Sequence, residues 1–392
     1  MTDEKRRELA FRLSSISIFR KIKETGAIKA LISFLVCEDE LKRADFYGEF
    51  VYELEKYGYS LSSFLCGFVY TDENRYIIDT ASKKSIPKEV KNNAHSELSL
   101  FTFMTTLNAK ELTSGVFTSH YVPEFANEYV DFVSEYDERL KHISRYGYGI
   151  FASARMFCVN DGKIVPVEAC DDISIDSFIG YETERKKVYD NTRALLEGRP
   201  AANVLLYGDA GTGKSSTVKA CVNHFFDEGL RLIEIRKNQL LSLSEIMAQI
   251  SGNPLKFIIF IDDLSFNKND DCFSMLKAAL EGSASARADN AVIYATSNRR
   301  HIVKETFSGR SDADDVHHND TVQELMSLSD RFGMTVYFEK PNKALYLDIV
   351  RQLAQKNGIP VDSALDIKAE AFALNKGSRS PRAAEQFINS LL

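Results

Sequence analysis

A parallel α/β sheet covered by helices on both faces is the architecture this sequence predicts for its second half, with a mainly helical region in front and a short helical tail behind. Three observations lead there. Apolar runs at 203–207, 231–236, 257–261, 291–296 and 335–339 alternate with stretches of helical periodicity, which makes a five-stranded parallel sheet buried on both sides. The first run leads directly into Gly208-Asp209-Ala210-Gly211-Thr212-Gly213-Lys214-Ser215, a GxxxxGKS segment set between a strand and a helix. Beyond Pro341 the strand-like runs stop and only helical spacing continues.

The bulk composition bounds the rest. A chain of 392 residues is long for one domain and suggests two or three. The divisions expected are 1–175, mainly helical; 176–341, the sheet domain; and 342–392, a helical lid. A net charge of −7 gives no support for broad, non-specific DNA binding, although a local basic channel is compatible with it. Six cysteines, at 37, 66, 158, 170, 221 and 272, show no Cys-x-x-Cys spacing and read as small reduced core residues. No apolar run approaches 18 residues and the N-terminus is not signal-like, so a cytoplasmic protein with no membrane partner is expected.

Each element has its own signal. In the first region, Phe19, Ile22, Leu31, Ile32, Phe34 and Leu35 mark a long apolar-rich segment, and similar ones cover about 45–70 and 97–110. Tyr129, Phe132 and Tyr136 are spaced to form a helical face. Asn160-Asp161-Gly162-Lys163 between two apolar runs predicts a small hairpin at the end of this region. Aromatic stripes here read as core, and no motif in the region names a chemistry. Further on, helices fit 182–197, stopped by Gly198 and Pro200, then 214–227, 243–250 and 272–281. In the tail, Leu345, Ile349 and Leu353 define one helix, 363–375 a second, and Arg382 to Leu391 a third.

The glycine-rich segment carries the chemistry. Its glycines let successive N–H groups and the helix N-terminus face phosphates; Lys214 meets the outer phosphates and the Ser215 hydroxyl is suited to magnesium. The buried run Phe257-Ile258-Ile259-Phe260-Ile261 delivers Asp262 and Asp263 to the carboxyl edge of the sheet. There Asp262 is placed to hold magnesium through water, and Asp263 to orient or deprotonate an attacking water. Asn298, after the fourth strand, is placed to sense the γ-phosphate. Arg331, just before the last strand, and Arg382, at the start of the final helix behind Pro381, are charged forks able to engage phosphate oxygens. His317-His318 lacks the spacing of a zinc site and reads as polar loop, and Arg299-Arg300 reads as support for the pocket rather than a nucleic-acid site.

These residues together resemble an AAA+ ATPase, and more specifically a prokaryotic AAA+ family catalogued as a domain of unknown function. The resemblance spans about 176–392 and rests on Ile179-Gly180-Tyr181, Leu205-Leu206-Tyr207-Gly208, Gly211 to Ser216, Asp262 to Phe266, Tyr294 to His301 and Ser327 to Gly333. It implies that Lys214 and Ser215 form the Walker A pair, with Ser216 beside them, and that Asp262 is the Walker B magnesium residue. It further implies Asn298 as sensor 1, Arg331 as an arginine finger offered to a neighbouring copy, Arg382 as the sensor 2 arginine of the lid, and Ile179 to Tyr181 as the backbone lying against adenine. ATP, ADP and Mg2+ are the implied ligands, and a homo-oligomer acting on a protein or nucleic-acid client the implied assembly. Many such proteins carry Asp-Glu where this chain has Asp262-Asp263; helicase loaders resemble the Asp-Asp form. The readings left open are therefore a client-remodelling ATPase, a helicase-loader-like factor, and an ATP-gated scaffold with little turnover.

Overall fold

The computed structural model describes residues 1–117, 121–169, 171–264, 275–277, 280, 289–298 and 331–392. Two compact units divide between Ser153 and Ala154.

The first unit is built from helices α1 (Asp3–Ser15), α2 (Gly26–Val36), α3 (Glu40–Glu53), α4 (Leu61–Thr71), α5 (Arg75–Ala81), α6 (Lys88–Met104), α7 (Ala109–Thr113), α8 (Phe132–Lys141) and α9 (Ile143–Tyr146). Their starts are specified locally. Thr2, Thr25, Asp39, Ser60, Asn74, Asn108 and Asp131 each accept a first-turn N–H, a contribution of about 1 kcal/mol apiece. The core is aromatic, with Phe19 packed edge-on against both Phe101 and Tyr136. Glu97 is buried there, and its carboxylate accepts the N–H groups of Ser17, Ile18 and Phe19, which offsets its desolvation. One expectation changes. Phe132 and Tyr136 are fully buried on α8, but Tyr129 precedes the helix and is 68% exposed, because the Asp131 side chain caps the helix at Ser134 N and starts it at Phe132.

The second unit holds one sheet of seven strands: β1 (Met156–Asn160), β2 (Lys163–Pro166), β3 (Val204–Gly208), β4 (Leu230–Ile235), β5 (Lys256–Ile261), β6 (Ala291–Ser297) and β7 (Met334–Phe338), in the order β2-β1-β4-β5-β6-β3-β7. All neighbours are parallel except β1 and β2. The five strands read from the sequence are β3 to β7, each within a residue of its expected start.

The hairpin is the difference. Its turn forms as the sequence suggests, with Asp161 and Gly162 both at positive φ, but β1 pairs in parallel with β4 and extends the sheet by two strands. The boundary expected at 175 therefore falls at 153/154: β4 would otherwise be an unpaired edge, and that cross-strand pairing is not written in local sequence.

Helices α10 (Glu182–Leu196) and α11 (Lys214–Phe225) pack with the sheet, α12 (Leu243–Ile250) buries Leu243, Ile246, Met247 and Ile250, and Phe257 to Ile261 are buried throughout. Of the helix expected at 272–281, residues 275–277 and 280 are helical and the others lie outside the described residues. The place expected for a lid is taken by three helices, α13 (Lys343–Lys356), α14 (Ser363–Asn375) and α15 (Pro381–Asn389), capped by Asn342, Asp362 and Ser380. They have a core of their own, including Tyr346, Val350, Ala369 and Phe387. Cys37, Cys66, Cys158 and Cys221 are free thiols; Cys170 and Cys272 lie outside the described residues. Among the described residues, no helix is long and apolar enough to cross a membrane.

Candidate nucleotide site

Strand order brings the site together. β3 lies between β6 and β7, so the loop that follows β3 is flanked by the ends of both, with β5 one strand further on. Gly208 ends β3 at φ +131, and a Cβ there would sit 2.0 Å from the Phe338 carbonyl oxygen of β7. Only glycine lets the two chains run this close. The loop then turns through Asp209, Ala210, Gly211 and Thr212, whose hydroxyl donates to Asp209 O, and enters α11 after Gly213.

Lys214 is buried, and its ammonium donates to Gly208 O at 2.9 Å, Asp209 O at 2.7 Å and Asn298 Oδ1 at 3.1 Å. Burial holds its pKa below the ordinary lysine value. The Asp209, Asp262 and Asp263 carboxylates oppose that shift, and the Arg382 charge adds to it. From Lys214 a continuous circuit runs across three strand ends. Asn298 Nδ2 donates to Asp263 Oδ1 at 2.9 Å; the Asp263 N–H donates to Thr296 Oγ1 at 2.9 Å; Thr296 Oγ1 donates to Asp262 Oδ1 at 2.5 Å; and Ser215 Oγ donates to the same oxygen at 2.6 Å. Five of the residues singled out in the sequence thus meet within hydrogen-bond distance. Ser215 Oγ and Asp262 Oδ1 are the hard oxygen donors that Mg2+ accepts, so the residues present fit that ion.

Beside the loop lies a cleft of about 670 Å³ whose lining includes Phe178, Ile179, Arg185, Ser216, Ile349 and Leu353. Ile179, Ile349 and Leu353 give it an apolar wall, Asp171, Asp172, Lys356 and Glu385 a charged rim, and Ser216 in the first turn of α11 joins it to the end of the glycine-rich loop, which suits a flat base attached to a phosphate chain. Of Ile179-Gly180-Tyr181, Ile179 lines this cleft, and Gly180 is engaged within its own segment. Its N–H donates to Glu182 Oε1 and its carbonyl accepts from Arg185 Nη1. Tyr181 is left-handed at φ +61 and anchors the segment through its hydroxyl on Glu339 O. Arg185 stacks over Phe178 at 4.2 Å, and burial pushes its guanidinium down to about 10. Neither Arg185 nor Thr296 stands out in the sequence as a site residue. The available hints are that Arg185 falls four positions after Tyr181, one helical turn, and that Thr296 ends an otherwise apolar run.

The lid reaches the loop through the start of α15. Arg382 N donates to Gly211 O at 3.3 Å, and Ser380 Oγ lies 3.1 Å from where a Gly211 Cβ would stand. The Arg382 side chain is exposed. Arg331 is half-buried, next to buried Phe332 and before β7, the edge strand of the sheet. Residues 299–330, which include Arg299-Arg300, His317-His318 and most of the segment around Arg331, lie outside the described residues. Among the described residues no cluster of three or more His, Cys, Asp or Glu side chains is arranged to hold a metal.

Residues 152–392 match the family described as "Protein of unknown function (DUF815)", which is more than half of the chain. The chain belongs to the DUF815 family. In this DUF815 chain the matched residues hold the seven-stranded sheet, parallel except for its first pair, and the three C-terminal helices. Curated proteins give no match. Among solved structures, it is similar to the Thermotoga maritima RuvB Holliday junction branch migration motor, at 14% identity over 56% of this chain and 72% of that one, with a TM-score of 0.34. A DNA replication initiation factor is similar at 16% identity over 56% and 64%, TM-score 0.37. The replication initiator DnaA bound to AMPPCP and single-stranded DNA is similar at 15% identity over 57% and 66%, TM-score 0.39.

Proposed function

We propose that this protein is a Mg2+-dependent ATPase that converts ATP to ADP and phosphate and uses an assembly of like subunits to act on a macromolecular client. The observation that carries the reading is the circuit joining Lys214, Asn298, Asp263, Asp262 and Ser215 around the mouth of the glycine-rich loop. In that reading the loop's N–H groups and Lys214 bind the phosphates, and the cleft beside Ser216 takes the base and ribose. Ser215 and Asp262 would hold Mg2+, which supplies charge neutralisation at the β- and γ-phosphates when bound. Asp263 orients the attacking water or accepts its proton, and Asn298 links that carboxylate to Lys214, so one amide reports on both. Arg382 closes over the nucleotide from the lid. Arg331 completes the site of a neighbouring copy.

A second reading is favoured by one residue. Asp263 is a methylene shorter than glutamate and is already held by Asn298, which fits an ATP-gated scaffold that assembles on nucleotide and turns it over slowly. Phosphate release by the full chain with and without Mg2+, beside sedimentation with ATP and with ADP, separates the two. Turnover above about 1 per minute that disappears in Lys214→Ala supports the ATPase; ATP-dependent assembly with no turnover supports the scaffold; neither response removes both. Stimulation by DNA that fades steeply with salt would identify a nucleic-acid client.

A further inference from the structure

We propose that Thr296 is a positioning residue whose single hydroxyl sets the orientation of both Asp262 and Asp263; this rests on the ATPase reading above. Thr296 is the second-last residue of β6 and is 2% exposed. A hydroxyl has one proton to give and lone pairs to accept with. Here both uses are fixed by the partners. The Asp263 N–H can only donate, so Thr296 Oγ1 accepts from it at 2.9 Å, and the hydroxyl proton is left for Asp262 Oδ1 at 2.5 Å. The next N–H along, that of Leu264, donates to the Thr296 carbonyl at 2.7 Å. One residue on the neighbouring strand therefore holds two successive backbone groups of the segment leaving β5, and one of its carboxylates as well.

What this accomplishes is visible in the backbone. Asp263 stands at φ +53, a left-handed conformation that residues with a side chain rarely adopt and that persists where surrounding contacts impose it. Turning the chain there presents the Asp263 carboxylate to Asn298 Nδ2 instead of letting it continue the strand. The Thr296 hydroxyl also shares Asp262 Oδ1 with Ser215 Oγ, so the carboxylate oxygen beside the glycine-rich loop is fixed from two directions. Thr296→Val would keep the shape and the carbonyl bond to Leu264 but would leave the Asp263 N–H without this acceptor and Asp262 Oδ1 with one of its two donors, Ser215 Oγ. Serine would keep both.

The test uses the full chain carrying Thr296→Val, Thr296→Ser and, as a second hydroxyl-free variant should valine fail to fold, Thr296→Ala. Two measurements are made: hydrogen exchange of the Asp263 amide without nucleotide, and the Mg2+ dependence of ATP turnover and of fluorescent ADP binding. Thr296→Val should exchange the Asp263 amide at least about tenfold faster and need about tenfold more Mg2+ for half-maximal response, the size expected when one hydrogen bond to a charged group is lost. Nucleotide affinity without Mg2+ should stay at the parental value, and Thr296→Ser should restore both readouts. Parental exchange in Thr296→Val overturns the proposal, as does faster exchange with an unchanged Mg2+ dependence, which would leave a purely structural role. A parent that neither binds nor hydrolyses nucleotide would sink the ATPase reading alone, and the exchange measurement would still decide whether the hydroxyl sets Asp263.

Discussion

At the scale of single residues, the site is a set of mutually satisfied polar groups, and each has a distinct expected phenotype. Lys214→Ala removes the ammonium buried beside the glycine-rich loop, so MgATP affinity should fall at least about tenfold by calorimetry. Asp263→Asn keeps Asp262 and Ser215 in place, and should therefore bind nucleotide normally while phosphate release slows by about a hundredfold, the usual loss for a general base. If turnover survives Asp263→Asn, water is positioned by another group. Gly208→Ala is a different kind of lesion. Its Cβ would meet a backbone carbonyl at 2.0 Å, and no side chain can move aside; a loss of at least about 2 kcal/mol in denaturant unfolding is expected.

At the scale of elements, the link between lid and loop is narrow and testable. α15 begins at Pro381, is capped by Ser380 and touches the loop at Gly211. Gly211→Ala combines a left-handed φ of +78 with contacts of 3.1 Å to Ser380 Oγ and 3.2 Å to the Arg382 Cβ. The start of α15 should be displaced, so residues 381–389 should exchange faster and ATP binding weaken, with the sheet unaffected. Unchanged exchange in α15 would show that the loop gives way instead of the lid.

At the scale of the whole chain, the hairpin defines what can be cut. Residues 154–392 retain β1 beside β4, whereas 176–392 expose β4 as a long apolar edge. The longer fragment should unfold cooperatively and stay monodisperse, and the shorter one should aggregate or melt several degrees lower. Equal behaviour in scattering and thermal melts would make the β1–β2 hairpin dispensable. Assembly is tested by mixing. Arg331→Ala should bind ATP yet hydrolyse it poorly, and adding Lys214→Ala subunits should restore part of the turnover by pairing an intact loop with an intact arginine. Given an active parent whose subunits exchange, no rescue at any ratio would argue against a finger supplied in trans.

The sequence by itself determined the parts whose physics is local. Five strands, the loop glycines and the C-terminal helices are read within a residue or two, because hydrophobic period and Gly and Pro punctuation act over a few positions. It also picked out Lys214, Ser215, Asp262, Asp263 and Asn298, since strand ends beside such a loop are where phosphate chemistry gathers. Only the tertiary structure decided the rest. That β1 closes onto β4 and that Thr296 ties Asp262 to Asp263 both depend on which strand lies beside which. Contacts of this kind join residues far apart in the chain, as Phe157 with Ile233 on neighbouring strands, or Phe19 with Glu97, 78 positions on, in the helical unit. Such contacts are set by burial of the whole chain, and a window of neighbouring residues carries no record of them.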